Sequence, residues 1–255
     1  MGSKNAILPD FLRPHGDIEL TRIGRANDGG YLVDPRTIEA TDVLIGFGVN
    51  DDWSFEEDFI ARRPIPVFAY DPTVNRKLFM RRLQKAFMRP HRLKDLSYAY
   101  RVLTGYDNFF RDDRVHIEKF VGMPHNNDAY GVSDILAQYV PNEKKVFFKI
   151  DIEGSEYRIF DDLIAYANRI SGLVIEFHDV DLHMSKIERF VGEFSLKICH
   201  VHGNNYGGIM PDGTPPVIEC SFTSQELSGP WSGSLPHELD APCRANKTDY
   251  TISFG

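Results

Sequence analysis

Cysteine is scarce. Cys199, Cys220 and Cys243 are the three in 255 residues and form neither a CxxC pair nor a metal-finger spacing, which argues against a disulfide framework or zinc module and for reduced thiols in a cytosol. No apolar run is long enough to span a bilayer and no secretory leader is recognisable, so a cytoplasmic protein is expected. Positive charge is in deficit. A net charge of -8 argues against general nucleic-acid affinity, because Lys and Arg contacts dominate phosphate binding. Internal repeats and domain linkers are missing too. What is present, 42% hydrophobic residues, is enough to bury a sizeable core in one domain over 1–255, with an N-terminal extension over 1–40 and a C-terminal extension over 224–255.

Short apolar runs alternate with helical patterns along most of the chain. Strands are expected at 42–46, 67–70, 115–120, 147–150, 172–177 and 196–201, with helices at 54–61, 133–139, after Gly154 and at 184–194. This alternation predicts a mostly parallel α/β sheet with helices on both faces. The run 217–222 follows a Gly/Pro-rich loop without an intervening helix, so it is expected to pair antiparallel. An N-terminal hairpin is expected from 18–23 and 31–33, turning at Asn27, Asp28, Gly29 and Gly30. Residues 224–247 read as an irregular excursion and 249–254 as an edge strand. The run 76–94 carries Arg76, Lys77, Arg81, Arg82, Lys85, Arg89, Arg92 and Lys94 among Leu78, Phe79, Leu83 and Phe87. It reads as one basic amphipathic helix, a solvated face or a contact for an anionic substrate or membrane surface.

The stretch FFKIDIEGSEYRIF at 147–160 has the pattern of a site. Side chains alternate along a strand, so Asp151 and Glu153 share one face at its tip, while Gly154 allows a sharp turn into a helix that Ser155 caps and Glu156 favours electrostatically. Earlier, Gly46-Phe47-Gly48 follows the first core strand and permits close backbone approach to a nucleotide-like ligand. A third glycine of the dinucleotide fingerprint is missing, and Asn50, Asp51 and Asp52 would repel a diphosphate but not a cationic cofactor. Asp71 ends the next strand, where a carboxylate can accept hydrogen bonds from ribose hydroxyls. Together these favour S-adenosylmethionine (SAM) over NAD.

The segments DGGYLV (28–33), IGFGVNDDWSFEEDF (45–59), YDPT (70–73), SDIL (133–136) and KIDIEGSE (149–156) resemble the FkbM family of SAM-dependent methyltransferases, over roughly 25–222. The resemblance implies a class I methyltransferase (Rossmann-like) sheet and O-methylation of sugars, polysaccharides, lipopolysaccharide or polyketide hydroxyls. It implies Gly46 and Gly48 under the methionine portion of SAM and Asp71 on the ribose. Phe47, Asp51 and Ser133 fall within the matching segments, and the turn bearing Asp28 and Tyr31 is placed to fold over the cofactor.

A sugar hydroxyl is a weak acid, so transfer to it calls for a base or a metal. His178 or His202 is a candidate general base, oriented by Asp151 or Glu153. The other option is a divalent ion, Mg or Mn, on Asp151 with Asp179 or His178 and an asparagine of the pair Asn204-Asn205. His125, Asn126 and Asn127 are candidates for adenine or sugar contact, Trp231 and His237 for acceptor recognition. The expected substrate is a nucleotide-linked or lipid-linked sugar or a surface glycan of capsule or lipopolysaccharide type. The alternatives are a metal-dependent hydrolase using Asp151, Glu153, His178, Asp179, His200 and His202, or a non-catalytic binding module of the same fold. Association into a homo-oligomer is left open.

Overall fold

A computed structural model describes residues 4–89, 91–122, 129–227 and 229–255. From the N-terminus come β1 (Lys4–Leu8), β2 (Thr21–Ile23), β3 (Tyr31–Val33), α1 (Pro35–Glu39), β4 (Val43–Phe47), α2 (Ser54–Arg62), β5 (Val67–Tyr70), α3 (Arg76–Phe87) and α4 (Leu93–Phe109). Next are β6 (Arg114–Ile117), β7 (Phe120–Val121), β8 (Ala129–Tyr130), α5 (Val132–Tyr139), β9 (Val146–Ile150) and α6 (Phe160–Ala165). The chain closes with β10 (Ile170–Phe177), α7 (Val180–Glu193), β11 (Lys197–Gly203), β12 (Ile218–Thr223) and β13 (Tyr250–Phe254).

Seven strands form the central sheet in the order β11-β12-β10-β9-β4-β5-β6. Only β12 runs antiparallel to its neighbours, β10 and β11. Counted along the chain, the order across the sheet is 3-2-1-4-5-7-6 with the seventh strand reversed. This is the class I methyltransferase architecture, confirming the expected fold and its antiparallel last strand. The connection from β4 proceeds to β5 on one side, and the chain later returns to place β9 on the other. Such a reversal opens a crevice at the carboxyl ends of the two strands, where open α/β sheets bind ligands.

The strands form because both sheet faces are covered. On one face Phe47, Phe148 and Ile150 pack with Phe160 and Phe177, and on the other Leu44 and Phe147 pack with Phe55 and Phe59 of α2. Each fully buried phenylalanine contributes about 1.5–3 kcal/mol. Phe47 is therefore a core residue with no exposure and not the cofactor contact that its place in the glycine loop implied. Trp53, Phe79, Val102 and Phe109 form a third cluster that roots α3 and α4.

Several elements differ from expectation. The basic run is not one helix: α3 stops at Phe87 and α4 starts at Leu93, since a residue before proline, here Arg89, avoids helical backbone. The expected edge strand exists as β13, but it pairs in parallel with β1 in a separate two-stranded sheet, residue for residue from Lys4↔Tyr250 to Leu8↔Phe254. The N-terminal hairpin forms as β2 and β3, with β3 lying over β11 and β12 and β2 against α2. Among the described residues no helix is long and apolar enough to cross a membrane, and all three cysteines are free and buried.

Candidate active site

A cleft of about 660 Å³ lies at the switch point. Its wall includes Asp28 and Gly29 from the β2–β3 turn, Gly48 and Asp51 after β4, Asp71 after β5, Phe120 of β7, and Asp151 and Glu153 after β9. The floor is backbone against backbone. Gly48 has φ +81°, and a Cβ there would stand 1.7 Å from the Asp151 carbonyl oxygen, so only glycine lets the two strand tips meet. The Asp151 amide donates to the Phe47 carbonyl at 2.9 Å and the Gly48 amide to that of Tyr70 at 2.9 Å. Gly46 sits deeper, below the cleft, where an added Cβ would approach the Glu56 carboxylate to 2.8 Å. Ser133, in the first turn of α5, is likewise not part of the wall.

Asp71 does a job other than the one expected of it. One oxygen accepts from the Val49 and Asn50 amides at 3.0 and 2.7 Å, the other from the Thr73 amide and hydroxyl at 2.8 and 2.6 Å. Burial alone would raise its pKa, but these donors hold it below the usual carboxylate value. Its acceptor sites are spent on shaping the loop, so a ribose diol would have to compete with those donors for the carboxylate. The negative charge beside the glycine loop is also balanced: Asp51 pairs with Arg82 at 3.0 Å and Asp52 with Arg25 at 2.9 Å. Lys149, two residues before Asp151 and on the same strand face, is buried and donates to the Gly48 carbonyl. Burial would lower its pKa, yet Glu56, Asp151 and Asp52 outweigh that and keep it charged.

His178 stands at the tip of β10 and Asp151 at the tip of the adjacent β9, as the sequence predicted. The His178 Nε2 lies 3.8 Å from Asp151, 3.5 Å from Glu153 and 3.7 Å from Glu176, and Nδ1 lies 3.3 Å from Glu156. Glu156, expected only to favour a helix start, is fully buried in a 3-10 turn. It accepts from the Gly154 amide at 2.9 Å and the His178 amide at 2.8 Å, so it ties the turn after β9 to the tip of β10. Burial pulls the His178 pKa down, but the hydrogen bond and charge of Glu156, with Asp151 and Glu153, raise it overall. Donor atoms of Asp151, Glu153 and His178 lie within 4.8 Å of one another, so these three could take a metal. Asp179 is exposed at left-handed φ 48° and stays outside that group.

His202 does not join His178. It is buried, with Nδ1 2.9 Å from Glu219 and Nε2 3.0 Å from Asp249. Burial works against its charge, but these carboxylates and Cys243 hold the pKa well above the usual value, which leaves no free nitrogen for a base. His200 is equally committed, 3.0 Å from Asp240. The six-residue hydrolase cluster is therefore dispersed. Asn204 donates to Glu176 at 2.9 Å, and Asn205 accepts from the Arg244 amide at 2.7 Å. Trp231 packs edge-on against Phe254 of β13 and His237 against His200, both away from the cleft wall. His125, Asn126 and Asn127 lie outside the described residues.

No protein-family model and no curated protein matches the chain. Solved structures similar to it include the fibrillarin/Nop5p complex, at 9% identity and TM-score 0.37 over 72% of this chain and 73% of that one. An rRNA methylase from Streptococcus thermophilus aligns at 10% identity and TM-score 0.37 over 74% and 92%. A precorrin-6y C5,15-methyltransferase from Geobacter metallireducens GS-15 aligns at 16% identity and TM-score 0.37 over 75% and 87%. Likenesses this distant carry no argument about substrate or cofactor.

Proposed function

We propose that this chain is a SAM-dependent O-methyltransferase of the FkbM type, acting on a hydroxyl of a nucleotide-linked sugar or surface glycan. The observation that carries the reading is the cleft at the β4/β9 switch point, in which the bare Gly48 backbone meets Asp151, whose carboxylate lies 3.8 Å from His178 Nε2. Its volume suits a small ligand. Asp51 and Asp52 are matched by Arg82 and Arg25, but Asp28, Asp151 and Glu153 on the same wall suit a cationic ligand, and Phe120, 42% exposed, offers an aromatic face for a purine. SAM supplies an electrophilic methyl on a sulfonium, so the chain must bind it, place the hydroxyl and take a proton.

Glu156 holds the proton of neutral His178 on Nδ1 and leaves Nε2 to accept the hydroxyl proton, while Asp151 orients that hydroxyl from the cleft wall. Glu153, 87% exposed at the side chain, is a weaker participant. Acceptor binding is assigned to the groove of about 820 Å³ between α3 and α4, lined by Phe79, Lys85, Arg89, Lys94 and Arg101. Arg82 and Tyr98 of this hairpin both reach Asp51, so groove and cleft share a wall, and the cations favour a phosphate-bearing acceptor. Calorimetric titration with S-adenosylhomocysteine tests the reading. Binding by the folded protein supports it, and no heat at millimolar ligand overturns it; radiolabelled methyl transfer to nucleotide sugars then tests the acceptor.

A further inference from the structure

Three carboxylates converge beside His178, whose Nε2 lies 3.7 Å from one of them, Glu176. Glu176 and Glu219 face each other across the β10/β12 ladder, and Asp28 comes over them from the β2–β3 turn, so that oxygens of all three lie within 4.8 Å of one another. Like charges opposite each other on neighbouring strands are destabilising, and a third adds to the cost. Two of the three already have a histidine beside them, His202 2.9 Å from Glu219 and His178 3.7 Å from Glu176, but the cations near Asp28 are engaged elsewhere: Arg25 pairs with Asp52 and Lys149 donates to Gly48.

A separate feature points to the same place. The Tyr31 side chain is 3% exposed, and its hydroxyl has no hydrogen-bond partner among the described residues. The charges acting on that hydroxyl are those of Asp151, Glu176, Glu219 and Asp28, which puts it in the neighbourhood of all three cage carboxylates as well as of Asp151. Buried hydroxyls are rarely left without a partner. Oxygen donors select hard ions over soft ones.

We propose that Asp28, Glu176 and Glu219 form a site for a hard divalent cation of the Mg²⁺, Mn²⁺ or Ca²⁺ class, with the Tyr31 hydroxyl hydrogen-bonded to a water on the ion. The site adjoins the Asp151–Glu153–His178 group, with Glu176 3.7 Å from His178 Nε2, but shares no ligand with it. It shares Glu219 with the group of His202, Glu219 and Cys243, whose atoms already bond one another. The ion ties the β2–β3 turn to the sheet and so fixes one wall of the cleft. Nothing in this depends on methyl transfer.

The test uses the full chain freed of metal by chelation and titrated with Mn²⁺, Mg²⁺ and Ca²⁺, read by calorimetry and, for Mn²⁺, by electron paramagnetic resonance. One equivalent is expected to bind below about 1 mM and to raise Tm. Asp28→Asn and Glu176→Gln each weaken Mn²⁺ binding at least tenfold, while Glu153→Gln leaves it unchanged. Circular dichroism checks that each variant is folded, and Asp28→Asn, on a turn, keeps the test usable if Glu176→Gln unfolds. Absence of binding at several millimolar Mn²⁺, or undiminished binding by folded Asp28→Asn, overturns the site. Loss in Glu153→Gln alone overturns it in favour of the His178 group. S-adenosylhomocysteine titration of the metal-free protein separates this outcome from failure of the methyltransferase reading.

Discussion

His178 and His202 end neighbouring stretches of the same sheet, each is ringed by carboxylates, and each has a raised pKa. They differ in closeness. Around His202 the contacts are 2.9 and 3.0 Å and the side chain is 4% exposed; around His178 they run from 3.3 to 3.8 Å and exposure is 13%. Short contacts on both nitrogens make a finished ion-pair network with no capacity left for a substrate. Looser ones leave room for a third party. The pair thus separates a histidine with both nitrogens engaged from one with room left for a ligand by geometry alone, though both look alike in a sequence.

The largest effect that could break this comparison is on stability. His202→Ala leaves Glu219 and Asp249 facing each other without a cation and is expected to cost about 3–5 kcal/mol in urea unfolding; a loss below 1 kcal/mol would mean the network is not structural. His178→Gln should do the reverse, lowering kcat by about 100- to 10,000-fold while S-adenosylhomocysteine affinity and unfolding midpoint change little. Wild-type turnover at that step removes His178 as the base.

Glu156→Gln sharpens the contrast further. It removes the charge that raises the His178 pKa, so the pH–rate midpoint is expected to move to lower pH, with a smaller loss of kcat than in His178→Gln. A midpoint that stays put shows that Glu156 merely braces the turn. The same shift appears in stability. Because folding raises the His178 pKa above its ordinary 6.5, its stabilising contribution is complete below pH 6.5 and disappears as pH climbs through the raised value. Glu156→Gln should flatten that alkaline decline.

The smallest expected effect belongs to Asp28, whose pKa is pushed up to about 6 by burial and by Glu219 and Asp151. A carboxyl with a raised pKa stabilises the fold fully below its unfolded value of 3.8 and loses that contribution as pH rises through 6. Discounted for its partial exposure, this is about 1 kcal/mol. Asp28→Asn should remove that slope from the stability curve between pH 4 and 6, and an unchanged slope would assign it to another group.

Much of the fold was legible because it rests on local signals. Apolar runs of four to eight residues mark β4, β5, β9 and β10 in sequence, and parity along β9 placed Asp151. Glu156 was misread because an acid in a first turn usually serves the helix, and only the tertiary position of β10 turns it toward His178. His202 stands out in the sequence as a candidate base, yet nothing there points to Glu219, since their partnership is a cross-strand register between β11 and β12. The parallel pairing of β1 with β13 joins residues some 246 positions apart, Lys4↔Tyr250, and neither strand advertises the other. Lys149 was visible at two residues from Asp151, but alternation assigns a face and not a partner.

Asp28 belongs to two neighbourhoods at once: it lines the cleft, and it stands over Glu176 and Glu219. A cation arriving in the cleft meets a carboxyl that is about half protonated near pH 6 and favours its ionised form. Ligand binding at that pH is therefore also proton release. The heat of binding will depend on the ionisation enthalpy of the buffer, and apparent affinity will climb with pH until Asp28 has nothing left to give up.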